Sequence, residues 1–232
     1  FEAPDSGRVW IVGRDVTGFS KGMRVMGLAN GTYAEFTTVK ADVHAPIPDR
    51  LSLEHAPTLP LVLTTGAQLI ERAVKVQPGW TILVTGAVGG VGRTAVHVAR
   101  KHGAHVIAGV KSSQREEASR LGADRVVSLQ DEADITSLRD LDAIADTVGG
   151  ETIAKLLKTI KPGGVLGSVL GETQPRQEIR ELPLLLLETL QRLGAVFVEG
   201  AVAAGRRAEP VAAACETVHP VAHSGHLFLQ AG

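Results

Sequence analysis

The residues whose types and spacing best suit chemistry lie in Thr85-Gly86-Ala87-Val88-Gly89-Gly90-Val91-Gly92. The apolar run Thr81-Ile82-Leu83-Val84 precedes them, and a stretch with helical spacing from Arg93 to His102 follows. Between a buried strand and a helix these small residues have separate tasks. Gly86 and Ala87 suit a tight turn, Gly89 lets a pyrophosphate approach the backbone, and Gly92 lets the helix lie close to the strand. A helix starting near Gly92 would present free N–H groups and the positive end of its dipole to the phosphates, with Gly90 and Val91 completing the cofactor-facing loop. The spacing predicts a dinucleotide site, with a purely structural turn as the alternative.

The second strand bears on which dinucleotide. An NAD site offers Asp or Glu about 20 residues past the glycines for the ribose 2′-hydroxyl, whereas an NADP site offers cations and small donors to the 2′-phosphate. Between Arg93 and Arg115 there is no acidic residue. After the strand comes Lys111-Ser112-Ser113-Gln114-Arg115, two cations and two hydroxyls where the phosphate would sit. NADPH is therefore the expected cofactor, held by Lys111, Ser112 and Arg115; a solvated basic loop is the alternative.

Composition narrows the remaining classes. The 232 residues carry 24 Lys+Arg against 25 Asp+Glu, a net charge of −1 that gives no electrostatic reason to expect a polyanion partner. With five Phe, two Trp and one Tyr, the chain lacks the aromatic platforms of single-strand nucleic-acid binders. Cys215 is the only cysteine, which excludes an intrachain disulfide and a multi-thiolate metal site and suits a reducing, cytoplasmic setting. No signal-peptide pattern opens the sequence, and no run approaches the roughly 20 apolar residues of a membrane span. A soluble protein is expected.

Several elements must hold these residues in place. Arg8–Val12 and Ala34–Val39 read as short strands of an antiparallel β unit, and Pro46, Pro48, Pro57 and Pro60 make 41–60 a stiff connector with a domain boundary. Beyond it, strands are expected at 81–84, 105–109, 125–129, 142–148 and 165–170, and helices at 93–102, 114–121 and 151–160. This alternation specifies a parallel sheet with crossover helices. Leucines at 182, 186, 190 and 193 predict a helix over 178–193, followed by a strand at 195–198.

Two families share parts of the glycine turn. Thr85-Gly86-x-x-x-Gly90-x-Gly92 resembles the short-chain dehydrogenase fingerprint, but that family needs a Tyr-x-x-x-Lys pair downstream. The only tyrosine is Tyr33, upstream, with Thr37 four residues on. Read as Ala87-x-Gly89-Gly90-Val91-Gly92, the chain instead resembles the medium-chain dehydrogenase/reductase superfamily, and most of all its zinc-independent quinone oxidoreductase branch. The same resemblance runs through Val16-Thr17-Gly18-Phe19-Ser20-Lys21-Gly22-Met23-Arg24-Val25, Gly31-Thr32-Tyr33-Ala34-Glu35-Phe36 and Leu59-Pro60-Leu61-Val62-Leu63-Thr64-Thr65. It continues in Leu121-Gly122-Ala123-Asp124, Asp146-Thr147-Val148-Gly149-Gly150 and Lys161-Pro162-Gly163-Gly164.

The resemblance implies an α/β protein: a Rossmann-type doubly wound parallel sheet at 59–200, plus a GroES-like β-barrel catalytic domain. The barrel part would be 1–58, truncated before Gly7, with 201–232 returning to it. Thr65 matches a threonine near the nicotinamide, with a helix-start hydroxyl bonded to its own backbone as an equal alternative. Ser168, Val169 and Leu170 match the strand end whose backbone faces the carboxamide, and Lys111 or Arg115 matches the 2′-phosphate contact. Asp146 reads equally as a strand-end residue without a ligand.

A metal is not expected. Leu61 stands where zinc-dependent relatives place a ligand, Cys215 reads as a small buried hydrophobe, and Pro220 and Gly225 break the His219-x-x-x-His223-x-x-His226 pattern. Ser168 sits one residue out of register for a Gly-x-Ser-x-Gly elbow. The implied function is hydride transfer from NADPH to a quinone or an α,β-unsaturated carbonyl, in a homodimer and with no nucleic-acid or membrane partner. No catalytic acid can be named, and the alternative is an NADPH-binding sensor or scaffold without turnover. An in-frame upstream extension encoding barrel strands would favour the enzyme.

Overall fold

A computed structural model describes residues 8–12, 16–29, 36–170, 180–183 and 226–230. The candidates Tyr33, Cys215, His219 and His223, the later part of the helix expected to Leu193, and the strand expected at 195–198 lie outside the described residues. The backbone packs as two units, Phe1–Leu61 with Leu187–Gly232, and Val62–Leu186.

In the first unit, β1 (Arg8–Val12), β2 (Val25–Gly27), β3 (Phe36–Lys40) and β4 (His44–Pro46) are short strands. β2 pairs antiparallel with β4. The expected connector is thus partly a strand, and its prolines fall where the chain tolerates them. Pro46 ends β4, and Pro57 lies at the start of the 3₁₀ turn Ala56–Thr58. Arg24 Nη2 donates to the carbonyls of Pro48 (2.9 Å) and Leu51 (2.8 Å), tying the loop after β4 to the start of β2.

His44 is buried, and its Nδ1 donates to the Lys40 carbonyl at 2.9 Å. Burial pushes its pKa below the ordinary 6.5, against the Lys40 carbonyl and Asp42, which favour the cation. The folded state therefore binds this proton less readily than the unfolded chain. The stability His44 contributes is complete above about pH 6.5 and is lost as the pH falls below it. His44→Gln should flatten part of the decline in urea midpoint between about pH 7.5 and 5, and an unchanged pH profile would contradict this.

Helix α1 (Leu59–Gln68) starts three residues before the second unit, which begins at Val62, and a π-type turn extends it over Leu69–Val74. Then follow β5 (Thr81–Thr85), α2 (Gly90–Lys101), β6 (His105–Val110), α3 (Arg115–Ala118), β7 (Arg125–Ser128) and α4 (Glu132–Ser137). β8 (Leu141–Asp146), α5 (Gly150–Leu156), β9 (Ile160–Ser168) and β10 (Arg180–Pro183) complete it. The six strands form one parallel sheet in the order β10-β9-β8-β5-β6-β7.

Side-chain alternation builds a core on each face. Ile82, Val84, Val106, Ala108, Ala143, Ala145 and Val165 point to one side, against the π-type turn and the Ala95, Val96, Val98 and Ala99 stripe of α2. Leu83, Ile107, Ile144 and Leu166 point to the other, against Ile135 of α4 and Ile153 and Leu156 of α5. Burying each large aliphatic side chain contributes about 1.5–3 kcal/mol.

Three expectations need correction. Residues 180–183 are a strand beside β9, not part of a helix. The expected helix over 114–121 is a short α-turn, Arg115–Ala118, between 3₁₀ turns. The helices α1 and α4 are additions to the expected elements. α4 had a readable signal: Asp131 caps it by accepting from Ala133 N at 2.9 Å, and Glu132 and Asp134 fill its first turn.

His226–Gln230 forms β11, which lies between β1 and β3 and runs antiparallel to both.

Candidate functional site

In this strand order β6 and β7 extend to one side of β5, and β8, β9 and β10 to the other. Ligands of doubly wound sheets bind in the crevice at that switch point, above the carboxyl ends of the two middle strands. Two turns face each other there, Gly86–Gly89 after β5 and Thr147–Gly149 after β8.

The first turn depends on absent side chains. Gly86 adopts φ 61°, and a Cβ on it would strike Thr147 Oγ1. A Cβ on Gly92 would strike the Gly86 carbonyl oxygen and come within 2.8 Å of Ala87 Cα. Gly89 N donates to Gly86 O at 2.9 Å, and Ala87 N to Gly109 O at 3.3 Å, which ties the turn to the end of β6. α2 begins at Gly90, two residues before the expected start, so Gly92 is a packing residue inside its first turn. No side chain caps this helix, and Gly89 and Gly90 are exposed. Uncapped first-turn N–H groups on an open surface suit an anionic ligand.

Arg93 supports the turn from behind, its Nε donating to Val88 O at 2.8 Å while Nη2 pairs with Glu117. No sequence motif marks it.

The second turn is organised by Asp146, which is fully buried. Its Oδ1 accepts from Thr85 Oγ1 (2.7 Å), Val148 N (2.9 Å) and Gly149 N (3.0 Å), and its Oδ2 accepts from Ser168 Oγ (2.8 Å). Thr147 adds two bonds to Thr85, N to Oγ1 at 2.9 Å and Oγ1 to the carbonyl at 2.7 Å. Asp146 thus joins β5, β8 and β9 where they enter the crevice, and its lone pairs are used internally. Ser168 is likewise engaged, because its Oγ also accepts from Leu170 N at 3.1 Å. Val169 N donates to Asp146 O at 3.1 Å, while Leu170 and Val148 leave apolar side chains exposed, 58% and 47%, unlike the buried residues of the strands below.

Thr65 lies buried inside α1, seven residues into the helix run that starts at Leu59, so the helix-start alternative does not hold. A Cβ on Gly90 would come within 3.0 Å of Val62 Cγ1, which places α1 against the first turn of α2.

At the end of β6 the three predicted residues differ in availability. Lys111 is exposed and forms no ion pair among the described residues. Ser112 is tied down, its Oγ 2.7 Å from Ser128 Oγ and its N donating to Gln130 Oε1 at 3.0 Å. Arg115 Nη2 pairs with Asp134. Ser128, Gln130 and Asp134 carried no motif in the sequence.

Strand order, helices on both faces and the glycine turn at the switch point together define a Rossmann-type domain. The family model for zinc-binding dehydrogenases matches residues 90–207, just over half of the chain. Acryloyl-coenzyme A reductase from Metallosphaera sedula is 33% identical over 201 residues, covering 74% of this chain and 59% of that protein. Polyketide synthase GfsB from Streptomyces halstedii is 32% identical over 161 residues, covering 68% of this chain and 3% of the synthase. The solved quinone oxidoreductase from Coxiella burnetii is 27% identical with a TM-score of 0.60, covering 69% of this chain and 52% of that one. The chain belongs to the zinc-binding dehydrogenase family, in the quinone oxidoreductase-like branch of the medium-chain dehydrogenase/reductase superfamily. It spans at most about 60% of the length of each of these three proteins.

Despite the family's name, no three His, Cys, Asp or Glu side chains among the described residues are arranged to hold a metal ion. No helix among the described residues is long and apolar enough to cross a membrane.

Proposed function

We propose that the protein is an NADPH-dependent oxidoreductase that reduces a quinone or an α,β-unsaturated carbonyl compound without a metal. The observation that carries this reading is the uncapped, exposed first turn of α2 at the switch point, with the cation Lys111 beside it at the end of β6. Gly86, Ala87 and Gly92 shape the turn, Gly89 lets the pyrophosphate approach its backbone, and the N–H groups of Gly90 and Val91 take the pyrophosphate. Lys111, assisted by Ser112 and Arg115, takes the 2′-phosphate. Thr65 and the chain at Ser168, Val169 and Leu170 flank the nicotinamide, where exposed Leu170 and Val148 would keep water from the reacting face.

The chemistry the cofactor supplies when bound is a hydride equivalent, so the protein needs to bind, orient and keep the cleft dry. Conjugated acceptors are already electrophilic, which removes the need for a Lewis acid. The acceptor class is supported by the names of the acryloyl-coenzyme A reductase and quinone oxidoreductase relatives. A homodimer in a reducing cytoplasm completes the reading.

The test is NADPH and NADH oxidation followed at 340 nm (about the nicotinamide absorbance maximum) with a benzoquinone and a 2-alkenal as acceptors. Turnover with either acceptor and a preference for NADPH is expected, and no turnover with both refutes the enzyme reading. Lys111→Glu should weaken NADPH binding by about 1–3 kcal/mol and leave NADH within about twofold. Equal losses for the two nucleotides in a titration would remove Lys111 from the phosphate site.

A further inference from the structure

The two cations after β6 are not equivalent, and the difference comes from a residue on another element. Asp134 of α4 lies 19 positions beyond Arg115 and pairs through Oδ2 with Arg115 Nη2. The same Oδ2 accepts the backbone N–H of Ser128 at 2.5 Å. That backbone bond, with Arg115 and Arg125 as further contributors, holds the Asp134 carboxyl below the usual carboxylate range against the cost of its desolvation. Asp134 is therefore an anchored acceptor and not a freely moving surface acid. The pair sits at the accessible edge of the unit, with the Arg115 side chain 41% exposed and that of Asp134 22% exposed. Arg115 Nη1 also reaches Val126 O at 3.5 Å.

A guanidinium committed to a carboxylate must share or break that pair before it can grip a phosphate. The carboxylate paired with that guanidinium would also repel a phosphate dianion brought to it. A nucleotide with only a hydroxyl at the ribose 2′ position feels neither effect.

We propose that Asp134 sets the strength of the cofactor preference: by holding Arg115 and placing a negative charge beside it, Asp134 weakens the preference for NADPH over NADH and leaves Lys111 as the principal phosphate-binding cation. This rests on the NADPH reading above and adds a specificity-setting residue to it. Asp134 itself touches no cofactor atom in this account and acts through Arg115.

The experiment is a fluorescence titration of the full chain with NADPH and with NADH. Asp134→Asn keeps an oxygen for Ser128 N but removes the charge, and should tighten NADPH by roughly tenfold while NADH stays within about twofold. Adding Arg115→Gln to Asp134→Asn should return the NADPH-to-NADH affinity ratio to the wild-type value. A merely structural role for Asp134 would move both nucleotides together. An unchanged or reduced ratio in Asp134→Asn overturns the inference. Should that variant not fold, Arg115→Gln alone decides, because it should cost about tenfold less NADPH affinity than Lys111→Gln. A larger cost at Arg115 overturns the inference. Wild-type chain that prefers NADPH while the Asp134→Asn ratio is unmoved removes this inference alone; wild-type chain that binds neither nucleotide, or prefers NADH, removes the NADPH reading and this inference with it.

Discussion

Gly92→Ala should destabilise the Val62–Leu186 unit by about 3 kcal/mol, because the new methyl has only backbone to displace. At most sites an inserted methyl pushes flexible side-chain ends aside. Here it meets the Gly86 carbonyl oxygen and lies 2.8 Å from Ala87 Cα, atoms held by the hydrogen bonds Gly89 N to Gly86 O and Ala87 N to Gly109 O. Relief requires α2 to move off the turn, which also opens the contacts of Ala95 and Ala99 with the sheet. If the turn binds the pyrophosphate, NADPH affinity should fall by at least about tenfold in the same variant. Gly89→Ala separates the two effects. Gly89 has an ordinary extended backbone, φ −71° and ψ 162°, it is exposed, and its Cβ would meet only the Gly86 oxygen at 3.2 Å. That variant should unfold within about 1 kcal/mol of wild type yet lose nucleotide affinity. Urea denaturation and nucleotide titration of both variants check this, and a Gly92→Ala stability equal to wild type would disprove the packing argument.

The second large effect belongs to Asp146. Asp146→Ala should cost about 3–5 kcal/mol, since it leaves the N–H groups of Val148 and Gly149 and the hydroxyls of Thr85 and Ser168 without their acceptor. Asp146→Asn should cost less, about 1–2 kcal/mol. One amide oxygen can keep the three donors now on Oδ1, while the amide NH₂ faces Ser168 Oγ, which can turn to accept. Equal losses for the two variants would show that the hydrogen-bond geometry is not what matters. Because Asp146 fixes the ends of β5, β8 and β9, both variants should also weaken nucleotide binding, the alanine more than the asparagine.

Much of the Val62–Leu186 unit is legible in the chain because its determinants are local. Thr81 to Val84 is a continuous apolar run, as a strand buried on both faces requires, and it is β5. The spacing of Gly86, Gly89 and Gly92 needs only the strand before it and the helix after it to be understood. α1 has no such local signal, because Pro60 reads as the end of the stiff connector, although proline is tolerated in a helix's first turn. The leucine spacing over 178–193 suggested a helix, but Arg180–Pro183 pairs along β9, a preference that tertiary contact imposes over local periodicity.

The candidate site divides along the same line. The types Lys111, Ser112 and Arg115 are visible in the sequence, but their availability is not. Arg115 meets Asp134 across 19 residues and Ser112 meets Ser128 across 16, and only the parallel pairing of β6 with β7 brings those partners together.

By itself the sequence determined what short-range spacing can encode: the strand–turn–helix unit, the absence of an acidic residue after the second strand, and the family resemblance. The tertiary structure decided which polar groups are already spent. Asp146 and Ser168 are consumed in joining strands, Arg115 is held by Asp134, and His226–Gln230 closes between β1 and β3 from the far end of the chain. The physical reason is that a hydrogen bond or ion pair depends on distance in space, and residues far apart in sequence have no local pattern that records it.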